Sequence, residues 1–183
     1  KNLRYKISKK LKKSIQGQKI TSILRRGKFL LFELKNKNFI LLHLGMTGKI
    51  FIKRKSDKTT IFTDYYFEKN IIKKHNHLGI KFNNSIDLIY NDIRKFGFIK
   101  ILSHKMLEFN KHISKLGPEP LSSKFNFNYM RQRSKNKKIN IKNFLMDQKC
   151  ISGLGNIYAN EILFISSINP KKNTNKLSDR EII

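Results

Sequence analysis

The sequence predicts an α+β protein: a strand-rich N-terminal part followed by a helical C-terminal part. Three observations carry this prediction. Between residues 22 and 102, short runs rich in Ile, Leu, Phe and Tyr recur, separated by Asn, Gly, Lys and Asp turn signals. Beyond residue 124 the apolar residues fall instead at i, i+3 and i+4. Between the two lies "KLGPEPLSS", residues 115 to 123, where a Gly-Pro step, a second Pro and paired serines mark a connector. The expected organisation is a strand domain over 1–116, a linker over 117–123 and a helical domain over 124–183.

Taken in order, "KKLKKSI" reads as a short helix with Leu11 and Ile15 four apart on one face. The runs "SILRRGKFLLFEL", "NFILLHLGM", "KIFIK", "DYYFEK", "HLGIKF", "SIDLIYND" and "FGFIKIL" read as strands, and repeated short strands of this kind argue for a sandwich or barrel. "FNFNYMRQR" offers Phe127, Met130 and Arg131, and "NIKNFLMDQ" offers Ile141, Phe144 and Leu145, both at helical spacing. A third helix is expected from Asn156, with Ile157, Tyr158, Ile162 and Ile165 on its buried side and Pro170 past its end. "KLSDREII" opens a further helix, capped by Ser178, that is cut off.

Composition points to a polyanionic partner. Lys and Arg number 40 against 12 Asp and Glu, a formal charge of +28, so the chain repels itself unless a polyanion is near. An AT-rich coding sequence also enriches Lys, Asn and Ile, which leaves the charge as support only. A membrane is not expected as the partner: no segment approaches the roughly 18 consecutive apolar residues of a spanning helix, and no N-terminal signal pattern is visible. A hydrophobic fraction of 39% with 14 Phe is enough for a folded core. The single cysteine, Cys150, rules out a disulfide or a Cys-rich metal site within these residues and fits a reducing compartment. In "HNH", His75 and His77 share one face at strand spacing, but no third ligand lies close in sequence.

Two glycine-bracketed stretches pose the functional question. "HLGMTGKI", residues 43 to 50, sets Met46 between Gly45 and Gly48 directly after an apolar run. Either the methionine folds back into the core as a gap-filler, or it stands out as an apolar wedge of the kind that enters a base stack. In "CISGLGN", Gly153 and Gly155 allow a tight turn and close backbone approach to a ligand, and the following helix aims free N–H groups at that place. A phosphate would fit there; an ordinary corner between helices fits as well.

The motifs "HLGMTG", "NDIRKFG", "LGPEPL", "NIKNFLMDQK" and "ISGLGNIYANEILF", in this order, resemble the bacterial formamidopyrimidine-DNA glycosylase family, enzymes that remove oxidised purines such as 8-oxoguanine. The resemblance covers essentially the whole chain. It implies an N-terminal β-sandwich and a helical domain with a helix–two-turn–helix motif, with double-stranded damaged DNA across the cleft between them. It also implies a bacterial cytoplasmic, nucleoid-associated monomer. Lys28 matches the lysine of the strand-cleaving β-elimination step. Met46, Arg94 and Phe96 match the trio that fills the gap left by the flipped base, with Arg94 hydrogen-bonding the orphaned partner base. His75, Lys137, Lys142 and Asn156 match DNA contacts, and Asn156 is expected both to cap its helix and to touch a backbone oxygen.

Departures are visible. Ile93 replaces the usual Pro, Lys95 the second Arg, Thr47 the commoner Ser, and Asn160 a usual Ser. The family's nucleophile is the amine of an N-terminal proline followed by a glutamate, and "KNLRYKISKK" resembles a region inside the sandwich domain instead. The family's zinc finger would follow the last residues, and its four cysteines are not here. The expectation is therefore an internal fragment of a glycosylase with AP lyase activity, inactive alone, whose zinc belongs to the complete protein. Two alternatives stay open: an endonuclease VIII-type glycosylase for oxidised pyrimidines, and a non-catalytic basic nucleic-acid-binding module.

Overall fold

The computed structural model describes residues 3–54, 60–62 and 72–183. The chain forms two compact units. The first comprises Lys1–Leu24 with Phe29–His104, the second Arg25–Lys28 with Lys105–Ile183.

The first unit opens with a short helix α1 (Lys10–Ile15), whose Leu11 is buried as its spacing predicts. Eight strands follow among the described residues: β1 (Ile20–Arg26), β2 (Phe29–Leu34), β3 (Asn38–His43), β4 (Gly48–Arg54), β5 (Thr60–Phe62), β6 (Asn76–Lys81), β7 (Ile86–Asp92) and β8 (Phe98–Ser103). They form two four-stranded sheets, ordered β1-β2-β3-β8 and β5-β4-β7-β6. The pairings β2 with β3, β3 with β8 and β4 with β7 are antiparallel. One core joins both sheets, with Phe32, Leu34, Ile40 and Leu42 from the first and Ile50 and Tyr90 from the second, so the unit is a β-sandwich. Strand β3 buries four residues in a row, Phe39 to Leu42. It therefore reads as a continuous apolar run and not as an alternation, because both of its faces are covered.

The run "SILRRGKFLLFEL" divides into two strands where one was expected. Gly27 takes φ +56, and a glycine at the first of two loop positions lets adjacent strands fold back as a hairpin. The expected strand "DYYFEK" lies outside the described residues. A short helix α2 (His104–Glu108) follows β8.

The second unit holds α3 (Phe127–Ser134), α4 (Ile141–Met146), α5 (Asn156–Ile165) and α6 (Asp179–Ile182). Asn126 and Asn140 cap α3 and α4 by accepting from the Tyr129 and Asn143 amides, satisfying N–H groups that a helix start leaves unpaired. Ser178 and Glu181 form a reciprocal capping box on α6. The core gathers Met130, Ile141, Phe144, Leu145, Ala159 and Leu163 around the buried Cys150, with Ile141, Phe144 and Leu145 as expected. Helix α5 corrects its predicted phase. Its buried residues are Ala159 and Leu163, while Ile157, Tyr158, Ile162 and Ile165 are exposed, Tyr158 at 67% and Ile165 at 78%. "NIYANEILFI" is apolar on more than one side, so spacing alone does not choose the face, and the small Ala159 lets this helix approach its neighbours closely.

Candidate nucleic-acid interface

In the first unit, the turn after β3 and the loop between β7 and β8 are built as one object. Gly45 has φ +68. A Cβ there would lie 2.7 Å from the Phe96 carbonyl carbon and 2.6 Å from the Gly97 nitrogen, so only glycine fits. The turn closes through Gly48 N–H donating to the Leu44 carbonyl at 2.9 Å, and the Gly45 N–H donates to His43 Nδ1 at 3.1 Å. Met46 therefore points away from the core and is 64% exposed. Phe96 is 47% exposed, and the Arg94 guanidinium carbon stands 4.7 Å from the centre of its ring, within cation–π range. Of the two readings of "HLGMTGKI", the structure gives the outward methionine.

Beneath these exposed groups sits a fully buried acid, Asp92. Thr47 Oγ1 donates to its Oδ1 at 2.6 Å. Its Oδ2 accepts from the Tyr90 hydroxyl at 3.1 Å and from the Gly97 N–H at 2.9 Å. Burial, followed by the charge of Asp92, holds the Tyr90 phenol well above the ordinary tyrosine range, so it stays a donor. Sequence reasoning did not single out Asp92 or Tyr90. The signal available was an acid closing the apolar strand "IDLIYND", where a buried carboxylate demands donors.

His75 ends a short 3₁₀ turn, Lys73–His75. Asn91 holds this segment by donating to the Ile72 carbonyl at 3.1 Å and to Asn76 Oδ1 at 2.7 Å. Lys74, His75, Asn76, His77 and Lys95 line an open basin, a cationic surface suited to an anion. His77 Nε2–H donates to the Asp92 carbonyl at 2.8 Å. The two histidines thus share the basin, and among the described residues no group of three or more His, Cys, Asp and Glu is placed to hold a metal ion.

In the second unit, Lys28 occupies the β1–β2 turn. Its Nζ lies 2.9 Å from where a Cβ on Gly155 would be, beside the first turn of α5. The side chain reaches solvent, yet the surrounding protein desolvates the ammonium and lowers its pKa below the ordinary lysine value. A lattice of polar contacts fixes the turn. The Gly27 N–H donates to Glu119 Oε1 at 2.7 Å, and Arg25 donates to Glu119 Oε2 at 2.7 Å. Arg26 donates to Ser152 Oγ at 2.7 Å and to the Gly117 carbonyl at 2.8 Å. Glu119 is held below the usual carboxylate range, first by the Gly27 amide, which outweighs the opposing effect of burial, and then by Arg25 and Arg26. Sequence reasoning missed Arg26, Glu119 and Ser152, although Glu119 lies within the quoted "LGPEPL".

Asn156 is the first residue of α5 and is exposed; the N-cap is Gly155, with no side-chain cap hydrogen bond. That corrects the expected capping role, since a residue already in helical conformation cannot aim its amide back at its own first turn. Asn156 is exposed, and Lys28 reaches Gly155, the N-cap of α5, where a helix start leaves N–H groups unpaired and suits an anion. Lys137 follows α3 and Lys142 is the second residue of α4, both half-buried. No hydrogen bond joins either to the Lys28 site among the described residues.

The structure thus gathers Met46, Arg94 and Phe96 in one place and Lys28 with Asn156 in another. Two family models match the chain: the formamidopyrimidine-DNA glycosylase N-terminal domain over residues 1–99 and the formamidopyrimidine-DNA glycosylase H2TH domain over 116–183. A formamidopyrimidine-DNA glycosylase of Rickettsia bellii is 36% identical over 181 residues, 99% of this chain and 61% of the relative. One of Proteus mirabilis is 41% identical over 179 residues, 98% of this chain and 59% of the relative. Among solved structures, the Lactococcus lactis Fpg in complex with abasic-site-containing DNA superposes with a TM-score of 0.79 at 35% identity, covering 94% of this chain and 59% of that one. The chain therefore spans 61% or less of the length of these relatives, and it belongs to the formamidopyrimidine-DNA glycosylase family.

Proposed function

We propose that the protein carrying this chain is a base-excision repair glycosylase with AP lyase activity that removes oxidised purines from duplex DNA. The observation that supports it most is the exposure of Met46 and Phe96 on two interlocked loops. Large apolar side chains held out rigidly beside an arginine suit the hole left in a base stack when a nucleotide is extruded. Filling that hole offsets the unstacking cost of a few kcal/mol and favours the open duplex. Arg94, already stacked on Phe96, offers planar donors to the base left without a partner.

Lys28 serves the lyase half. Its lowered pKa raises the share of neutral amine near neutral pH, the form able to accept a proton during β-elimination. The amine that attacks the sugar C1′ is assigned to none of the residues described here. His75, Lys137, Lys142 and Asn156 position the backbone through phosphate oxygens and carry no sequence information. The zinc that the resemblance implies has no fitting ligand set among the described residues and enters no step. No helix among the described residues is long and apolar enough to cross a membrane; a cytoplasmic monomer acting on DNA is the reading consistent with the family.

The test is excision of 8-oxoguanine from a duplex, with borohydride trapping on abasic-site DNA, by the whole protein and its Lys28→Ala variant. Excision by the wild type, with strand cleavage slowed in the variant, is expected. A wild-type protein that binds duplex but neither excises nor is trapped would leave the binding-module reading in its place.

A further inference from the structure

Thr47 stands beside Met46 and does two things with one oxygen. It donates to buried Asp92 Oδ1 at 2.6 Å and accepts from the Arg94 backbone N–H at 3.1 Å. Asp92 Oδ2 meanwhile holds the Gly97 N–H at 2.9 Å. The Ile93–Phe96 loop is therefore fastened at both ends to one carboxylate, directly at Gly97 and through the Thr47 hydroxyl at Arg94. We propose that Thr47 is a positioning residue for DNA recognition, its hydroxyl setting the spacing of Met46 from Arg94 and Phe96.

This role for Thr47 rests on the void-filling reading of Met46, Arg94 and Phe96. Only a hydroxyl supplies a donor and an acceptor at a single atom in this place. Valine matches threonine in shape and supplies neither. Without the hydroxyl, Arg94 N–H loses the Thr47 acceptor and Asp92 loses the Thr47 donor, and the two loops are left with the close packing of Gly45 against Phe96 and Gly97 and of Gly97 against the His43 and Leu44 carbonyls. A methionine wedge displaced from its arginine by a fraction of its own width no longer fills the same hole, so selectivity for a gapped duplex falls. Non-specific affinity does not fall, because that is set by lysine and arginine contacts to phosphate.

The experiment compares the wild-type chain, Thr47→Ser and Thr47→Val. Binding is measured to one duplex containing a tetrahydrofuran abasic-site analogue opposite 2-aminopurine and to the same duplex intact, with 2-aminopurine emission reporting on the orphan base. Thr47→Val is expected to lose about tenfold of the preference for the gapped duplex, the scale of one hydrogen bond to a charged group, and to change the emission, with affinity for intact duplex unchanged. Thr47→Ser is expected to match wild type in both. Equal gapped-duplex preference in wild type and Thr47→Val overturns the proposal alone; no preference in the wild type overturns the void-filling reading and the proposal with it. Hydrogen exchange of the Arg94 amide in the wild-type chain decides independently of any variant's folding. Protection is expected even though this loop is exposed, and exchange at the rate of an open amide overturns the proposal.

Discussion

The Gly27 N–H donates to the Glu119 carboxylate at 2.7 Å, so the turn that carries Lys28 hangs from an acid 92 residues further along the chain. Arg25 and Arg26 converge on the same carboxylate at 2.7 and 3.6 Å, which fixes the turn from both sides of Gly27. The lysine's place is thus a property of "RRGK" and "GPEP" together.

Removing that anchor is expected to loosen the turn. Glu119→Ala leaves the Gly27 N–H without its acceptor and should cost about 1–3 kcal/mol, with faster hydrogen exchange at the Gly27 amide. Glu119→Gln keeps an oxygen for Gly27 and should lose less on both measures. Thermal melts and amide exchange on the two variants check this.

The same contact is expected to weaken in acid. Glu119 has its pKa lowered in the folded chain from a reference of 4.5, so the unfolded state takes up the proton first. Its contribution is then complete above about pH 4.5 and is lost as pH falls through the lower folded value. The Gly27 amide resonance should titrate with a midpoint below that of a free glutamate. A midpoint at or above it would contradict the assignment.

Lys137→Ala and Lys142→Ala should each weaken binding to damaged and undamaged duplex alike. If each lysine neutralises one phosphate, the slope of log K against log salt falls by about one unit per variant. Slopes unchanged in both would return the two lysines to a merely solvated face.

Core and site separate by stability. Phe144 is fully buried, and Phe144→Ala should cost about 3–5 kcal/mol. Met46 is 64% exposed, and Met46→Ala should lie within about 0.5 kcal/mol of wild type. Denaturant titrations of the two variants test whether Met46 serves packing or something outside the fold.

What the sequence shows is uneven, for physical reasons. Strands β3 and β7 and helix α4 were legible because each has one unambiguous apolar pattern. Helix α5 was legible in place but not in phase, since apolar residues on several sides leave its buried face to be chosen by Ala159. The hairpin at Gly27 was hidden inside a run that stays apolar or basic throughout. Met46, Arg94 and Phe96 could be named because they lie in "HLGMTG" and "NDIRKFG", short glycine-bounded motifs that stand out along the chain. Asp92, Tyr90 and Glu119 could not, since a buried acid is recognised only once its donors are known, and those come from residues as distant as Thr47 and Gly27.

The central claim is that Met46 and Phe96 enter the space left by an extruded base. It is tested most directly by two rates in the whole protein and its Met46→Ala variant: excision of 8-oxoguanine from a duplex, and strand cleavage at a pre-formed abasic site. Excision requires a base to leave the stack, at a cost of a few kcal/mol, whereas cleavage at an abasic site does not. The account expects Met46→Ala to slow excision markedly, to slow cleavage much less, and to leave the melting temperature nearly unchanged. An equal fall in both rates together with a large loss of melting temperature would contradict it, and would make Met46 a packing residue.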